Sequence, residues 1–270
     1  MASPQMPARP EKISTGPIKK LHNVQSIYIR IGDQLSEVLS QLPFEELRAL
    51  AIVPAMPAVL YALVTLFQYA EGVSDQQAAQ AVCTRLDWKY ALQLPIGYTG
   101  IDPTCLCTFR VGTRESQLAQ KGLERLLNAL TDQGLIARRE RTTTAQEVIR
   151  SVCMLNRLET MLLAMNEALT GAVTQQPGWL QAHIPSHWLE RYPCQTKNSL
   201  PVNWEKQNHL AQQIAEDALY FINVAQQEKV LTARLSTEIH HLKVICQTQL
   251  KQEKVELRWS PPPCKRCIIL

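Results

Sequence analysis

YALVTLFQYAEGVSDQQAAQAVCTRLDWKYALQLPIGYTGIDPTCLCTFR, residues 61–110, is the stretch whose reading sets the fold. An apolar helix runs into Glu71-Gly72 and stops there. Ser74 opens the next one, with Gln77 three residues on, the spacing at which a cap side chain and a third-position amide satisfy each other's backbone donors. Arg85 to Tyr90 is a short basic segment that carries Trp88. Asp102-Pro103 is another helix start, a capping carboxylate followed by a proline already set for the first turn. The result is a compact run of short helices with cations at their ends and junctions, one way to build a nucleic-acid-binding module.

Outward from this stretch the pattern stays helical. Ala58 to Ala70 is apolar nearly all round, which predicts a central core helix. Leu35, Val38, Leu39 and Leu42 recur at helical spacing, and Pro43 closes that segment. Val24 to Ile31 is β-branched and partly alternating and reads as a short strand. Glu115 to Asp132 is amphipathic, with Gly134 as its stop. Val148, Val152, Leu155, Leu158, Leu162 and Met165 predict a long helix that ends before Pro177. Trp179 to Trp204 is interrupted by prolines, Lys206–Gln227 and Leu231–Gln249 read as a helical pair, and Lys254 to Trp259 alternates like a strand.

The chain therefore divides into a disordered lead-in over 1–23, a helical domain over 24–137, and a basic linker with a long helix over 138–178. An irregular segment with the helical pair follows over 179–250, and a tail over 251–270. The class is mainly α.

Composition narrows the function classes. The 270 residues are 46% hydrophobic and 19% charged, so most of the chain folds around a core. A net charge of +4 permits a nucleic-acid partner without demanding one. The eight cysteines are scattered and read as reduced thiols. Cys264 and Cys267 form a lone CxxC, a weak metal or redox signal, and Cys267 to Leu270 matches a prenylation box. No apolar run reaches the ~20 residues that span a bilayer; Ala49 to Ala70 is broken by Pro54, Pro57 and Gln68. The expectation is a cytoplasmic protein with no membrane partner. His183 and His187 are four apart, but Pro185 between them argues against a helical metal pair, so no metal ligand is assigned.

The segment EGVSDQQAAQAVCTRLDWKYALQL, with Phe109-Arg110 after it, resembles the N-terminal domain of InsH-type insertion-sequence transposases. That family shows a helix ending in E-G-L-S-D-R-Q-A-A, then R-I-D-W-K-Y, then an F-R element. The likeness continues more loosely through Leu155 to Glu159 and the segments around Trp179 and Trp188, covering about residues 35 to 215. It implies a helical N-terminal DNA-binding domain followed by a long helix and a helical C-terminal region, acting on the ends of an insertion element in DNA transposition.

The resemblance also implies an RNase-H-like core whose three carboxylates hold two divalent metals. The first Asp belongs in the place where this chain has Arg141-Thr142-Thr143-Thr144, so Thr143 or Thr144 stands where it should be. A neutral hydroxyl is a poor anionic ligand for such a metal. The other two carboxylates are expected beyond residue 270. The reading is a truncated transposase without strand-transfer chemistry and without a cofactor; Mg is expected only with a complete core. Cys83 and Thr108 also depart from the family pattern.

Arg85, Lys89, Arg110 and Arg114 are the phosphate-contact candidates, with Arg138, Arg139 and Arg141 as a second basic cluster. Trp88 reads as core. Element-end DNA, a second copy of the chain and an intact transposase are the expected partners. Two alternatives stand beside this reading: half of an active transposase completed by a second reading frame, and a helical interaction protein without a DNA role.

Overall fold

The computed structural model describes residues 26–43, 46, 57–135, 144–192, 200–201, 203–227, 236–253 and 256–259. The lead-in over 1–23, Arg138, Arg139, Arg141, Thr143 and the Cys264–Cys267 tail lie outside them. The fold is mainly α, as the periodicity implies. The chain separates into two compact units with the boundary between Cys153 and Met154.

The first unit is built from α1 (Ile27–Ser40), α2 (Ala58–Glu71), α3 (Asp75–Thr84), α4 (Leu86–Ala91), α5 (Pro103–Glu115), α6 (Gln117–Asp132) and the start of α7 (Ala145–Gln175). Val59 to Gln68 of α2 are all buried, so this helix is the central one that its all-round apolar character implied. Around it pack Leu35 and Val38 from α1, Val82 from α3, Trp88 from α4, Phe109 from α5, and Leu123 and Leu126 from α6.

The helix ends follow local chemistry. Ser74 Oγ accepts from the Gln77 N–H at 3.2 Å, and Gln77 Oε1 accepts from the Ser74 N–H at 3.0 Å. Asp102 caps α5 through the Thr104 N–H at 2.8 Å, with Pro103 in the first turn. Gly72 and Gly134 take positive φ after α2 and α6, where a side chain would be strained.

Two expectations are corrected. Val24 to Ile31 is not a strand where it is described, because Ile27 onward is helical. Tyr28, Ile29, Ile31, Gly32 and Leu35 are buried by neighbouring helices, so tertiary burial overrides the β-branched signal. The helix read over Glu115 to Asp132 is two helices: Ser116 is extended, ends α5 and caps α6 through the Ala119 N–H at 3.2 Å.

Close approach of α1 and α4 requires a glycine. A Cβ on Gly32 would lie 2.7 Å from the carbonyl oxygen of Tyr90 and 2.5 Å from its ring. Tyr90 Oη also donates to Asp33 Oδ1 at 2.5 Å, and Gln93 donates to the Gly32 carbonyl at 3.4 Å.

The second unit takes the rest of α7, then α8 (Pro177–His183), α9 (Trp188–Arg191), α10 (Trp204–Gln227) and α11 (Ser236–Gln249). Met161, Met165, Trp188, Ile214, Phe221 and Leu242 share its core. Strand β1 (Leu250–Glu253) pairs antiparallel with β2 (Glu256–Trp259), Leu250 opposite Trp259. The second of these was legible from alternation and the first was not.

Candidate functional site

The residues that carry the sequence signature meet inside the first unit, around two carboxylates. Glu71 ends α2, where an anion opposes the helix dipole. Three donors offset this. Arg85 Nη1 donates to Glu71 at 2.5 Å, Trp88 Nε1 at 3.1 Å, and Tyr28 Oη makes a third, short hydrogen bond. Arg85 also grips Asp87 through Nε at 3.1 Å and Nη2 at 2.7 Å. Its guanidinium lies 5.0 Å from the Trp88 ring and 5.3 Å from that of Tyr28. Burial works against the Arg85 charge, but the bonds to Asp87 and Glu71 outweigh it and hold its pKa above the ordinary value. Burial, followed by the hydrogen bond to Glu71, pushes the Tyr28 phenol up.

Asp75, in the first turn of α3, is the second centre. Arg110 of α5 meets it with both ends of its fork, Nη1 to Oδ1 at 2.7 Å and Nη2 to Oδ2 at 2.5 Å. Gln68 of α2 donates to the same Oδ1 at 2.8 Å. The pair is sealed: the Arg110 side chain is 1% exposed and that of Asp75 4%. Burial disfavours the Arg110 charge, and the adjacent Asp75 carboxylate reverses that and raises its pKa. This one cluster ties α2, α3 and α5 together.

Lys89 is also internal, at 5% exposure. Its ammonium donates to the carbonyls of Ile96 and Tyr98, the second at 2.9 Å. These bonds hold the turn between α4 and α5. Trp88 is fully buried against Phe67, ring centroids 5.2 Å apart, as the core reading expected.

The phosphate-contact expectation for Arg110 and Lys89 therefore gives way to a structural one, since both side chains face inward onto protein partners. Arg85 is partly exposed, with its guanidinium engaged by Glu71 and Asp87. Arg114, at the end of α5, is exposed. Single-sequence reading missed Glu71 and Gln68 as partners. The signal available was charge balance within the motif: each of its cations, other than Lys89, has an acid to meet.

Where the first catalytic carboxylate was expected, Thr144 is exposed and works as a helix cap. Its Oγ1 accepts from the Glu147 N–H at 3.2 Å at the start of α7. Among the described residues no group of three or more His, Cys, Asp or Glu is arranged to hold a metal ion. The donor set that a divalent-metal site needs does not fit at this neutral hydroxyl. His183 is engaged locally, its Nδ1 2.9 Å from the Trp179 carbonyl and its ring stacked on Trp179 at 5.0 Å.

On the outer side of the first unit, α5, α6 and α7 are joined by polar side chains. Gln120 Nε2 donates to the Arg114 carbonyl at 2.7 Å, and Gln146 Nε2 donates to Gln120 Oε1 at 3.2 Å. Glu124 Oε2 accepts from the Ala145 N–H at 2.5 Å. Arg114, Gln117, Lys121, Gln146 and Arg150 are all exposed.

A helical module fixed by a buried Arg–Asp fork and a carboxylate hub is thus the structural content of residues 71–110. Residues 32–112, from α1 into α5, match the family described as Transposase domain (DUF772). The N-terminal module is a transposase-related domain. No curated protein and no solved structure matches the chain. Among the described residues no helix is long and apolar enough to cross a membrane.

Proposed function

We propose that the chain acts in DNA transposition as a DNA-holding protein of the insertion-element type, with no strand-transfer activity of its own. The match of residues 32–112 to a transposase domain carries this reading. The InsH-type spacing of SDQQAA and RLDWKYAL supports the finer assignment. DNA contact rests on cations outside the buried motif: Arg114 among the described residues, and Arg138, Arg139 and Arg141 in sequence. Catalytic silence rests on Thr143 or Thr144, neutral side chains standing where the resemblance puts the first metal-binding Asp, of which Thr144 is engaged as a cap. A protein that holds element ends without cutting them competes with, or assembles on, an intact transposase.

The test is a gel shift with duplexes carrying the terminal inverted repeats that flank the gene, read across a salt series. The expected result is a shift that weakens steeply with salt, as counterion release requires. Its companion is a strand-transfer assay with Mg2+ on the same duplexes, expected to give no product. Salt-independent or absent binding overturns the DNA reading; transfer product overturns the catalytic one.

A further inference from the structure

Arg110 and Lys89 of the signature are turned inward and Arg85 is engaged by Glu71 and Asp87, and the first unit carries another set of cations that is not part of the motif. Gln117 and Lys121 lie one turn apart on α6, and Gln146 and Arg150 lie one turn apart on α7, all four exposed. Residues at that spacing share a helix face. Gln120 ties the two helices into one surface, accepting from Gln146 at 3.2 Å while donating to the backbone of Arg114 at 2.7 Å. Three cations, Arg114, Lys121 and Arg150, are therefore grouped with the exposed amides of Gln117 and Gln146. Glu115 and Glu147 flank the surface, and Glu124 within it is engaged by the Ala145 N–H.

We infer that this α5–α6–α7 face is the duplex-DNA contact surface of the module. The inference rests on the DNA-holding reading above. The chemistry is complementary: guanidinium and ammonium groups neutralise phosphates and set orientation, whereas a carboxamide offers the paired donor and acceptor that match an adenine edge in the major groove. Amides and cations at one-turn spacing on two linked helices supply both kinds of contact side by side. The signature residues behind them fix the helices rather than touch the ligand.

The test is fluorescence anisotropy of a labelled terminal-repeat duplex, run as a salt series with R114Q/K121Q/R150Q, Q117A/Q146A and the control K206Q, a substitution at an exposed position of the second unit. Circular dichroism and urea unfolding first establish that each variant is folded. The triple variant is expected to bind at least about tenfold more weakly and to lower the slope of log K against log salt by about 0.9 for each lost phosphate contact. Q117A/Q146A is expected to keep the slope and to narrow the preference for the terminal repeat over a scrambled duplex, and K206Q to behave as the parent. A folded triple variant with parental affinity and slope overturns this surface and leaves the DNA reading standing. An equal loss with K206Q also overturns the surface. Failure of the parent chain to bind overturns both.

Discussion

The ammonium of Lys89 sits inside the first unit with two backbone carbonyls, of Ile96 and Tyr98, as its acceptors. A buried lysine facing neutral oxygens serves by donating, and its removal orphans those oxygens. Lys89→Met is expected to destabilise the domain by about 1–3 kcal/mol, the range for leaving a buried polar group unsatisfied. Urea unfolding measures this, and hydrogen exchange should show faster opening of the turn over 93–102. A change within about 0.5 kcal/mol, the size of an ordinary surface substitution, would place the ammonium in solvent. The family resemblance suggested a phosphate contact for Lys89 and Arg110. The deciding facts are pairings across the fold, such as Asp75 with Arg110 from α3 to α5, which sequence spacing does not encode.

At the level of elements, what was legible is local. Ser74 with Gln77, Asp102 with Pro103, and Gly134 each act within one turn, and each does in the structure what its residue type implies. The failures are places where a neighbour decides. Ile27 to Ile31 has strand-like composition, but α1 is buried against α4, and that burial makes it helical. Ser116 interrupts what reads as one amphipathic run by taking an extended backbone and capping α6. Leu250 to Glu253 becomes a strand through pairing with Glu256 to Trp259. The α1–α4 crossing gives a sharp prediction. Gly32→Ala places a methyl group 2.7 Å from the Tyr90 carbonyl oxygen, and backbone is slow to yield. The expected loss is about 1–3 kcal/mol by urea unfolding. Unchanged stability would mean that the helices separate at no cost.

Over the whole molecule, both units bury tyrosine hydroxyls. Tyr28 and Tyr61 in the first and Tyr192 in the second all have phenol pKa values raised, chiefly by burial. Tyr28 and Tyr192 also donate to Glu71 and Asp217. A raised folded pKa means that the unfolded chain ionises first as pH rises. The stabilisation is complete below the ordinary tyrosine value of about 10 and falls away above it. Urea midpoints should be insensitive to these groups at neutral pH and decline progressively above about pH 10. A midpoint that stays level through that range would mean that these phenols ionise freely in the folded protein.

The organisation of the whole chain leads back to the motif shared with transposase domains. Its charged residues, from Glu71 to Arg110, hold α2, α3, α4 and α5 together. Comparing the urea-unfolding free energies of Arg110→Gln and Arg114→Gln tests this most directly, since the two arginines lie one helical turn apart on α5. Removing one partner of a buried ion pair costs about 3–5 kcal/mol, whereas an exposed substitution stays within about 0.5. The expected result is a large loss, or failure to fold, for Arg110→Gln and near-parental stability for Arg114→Gln. Two variants of equal, parental stability would contradict the structural role of the motif.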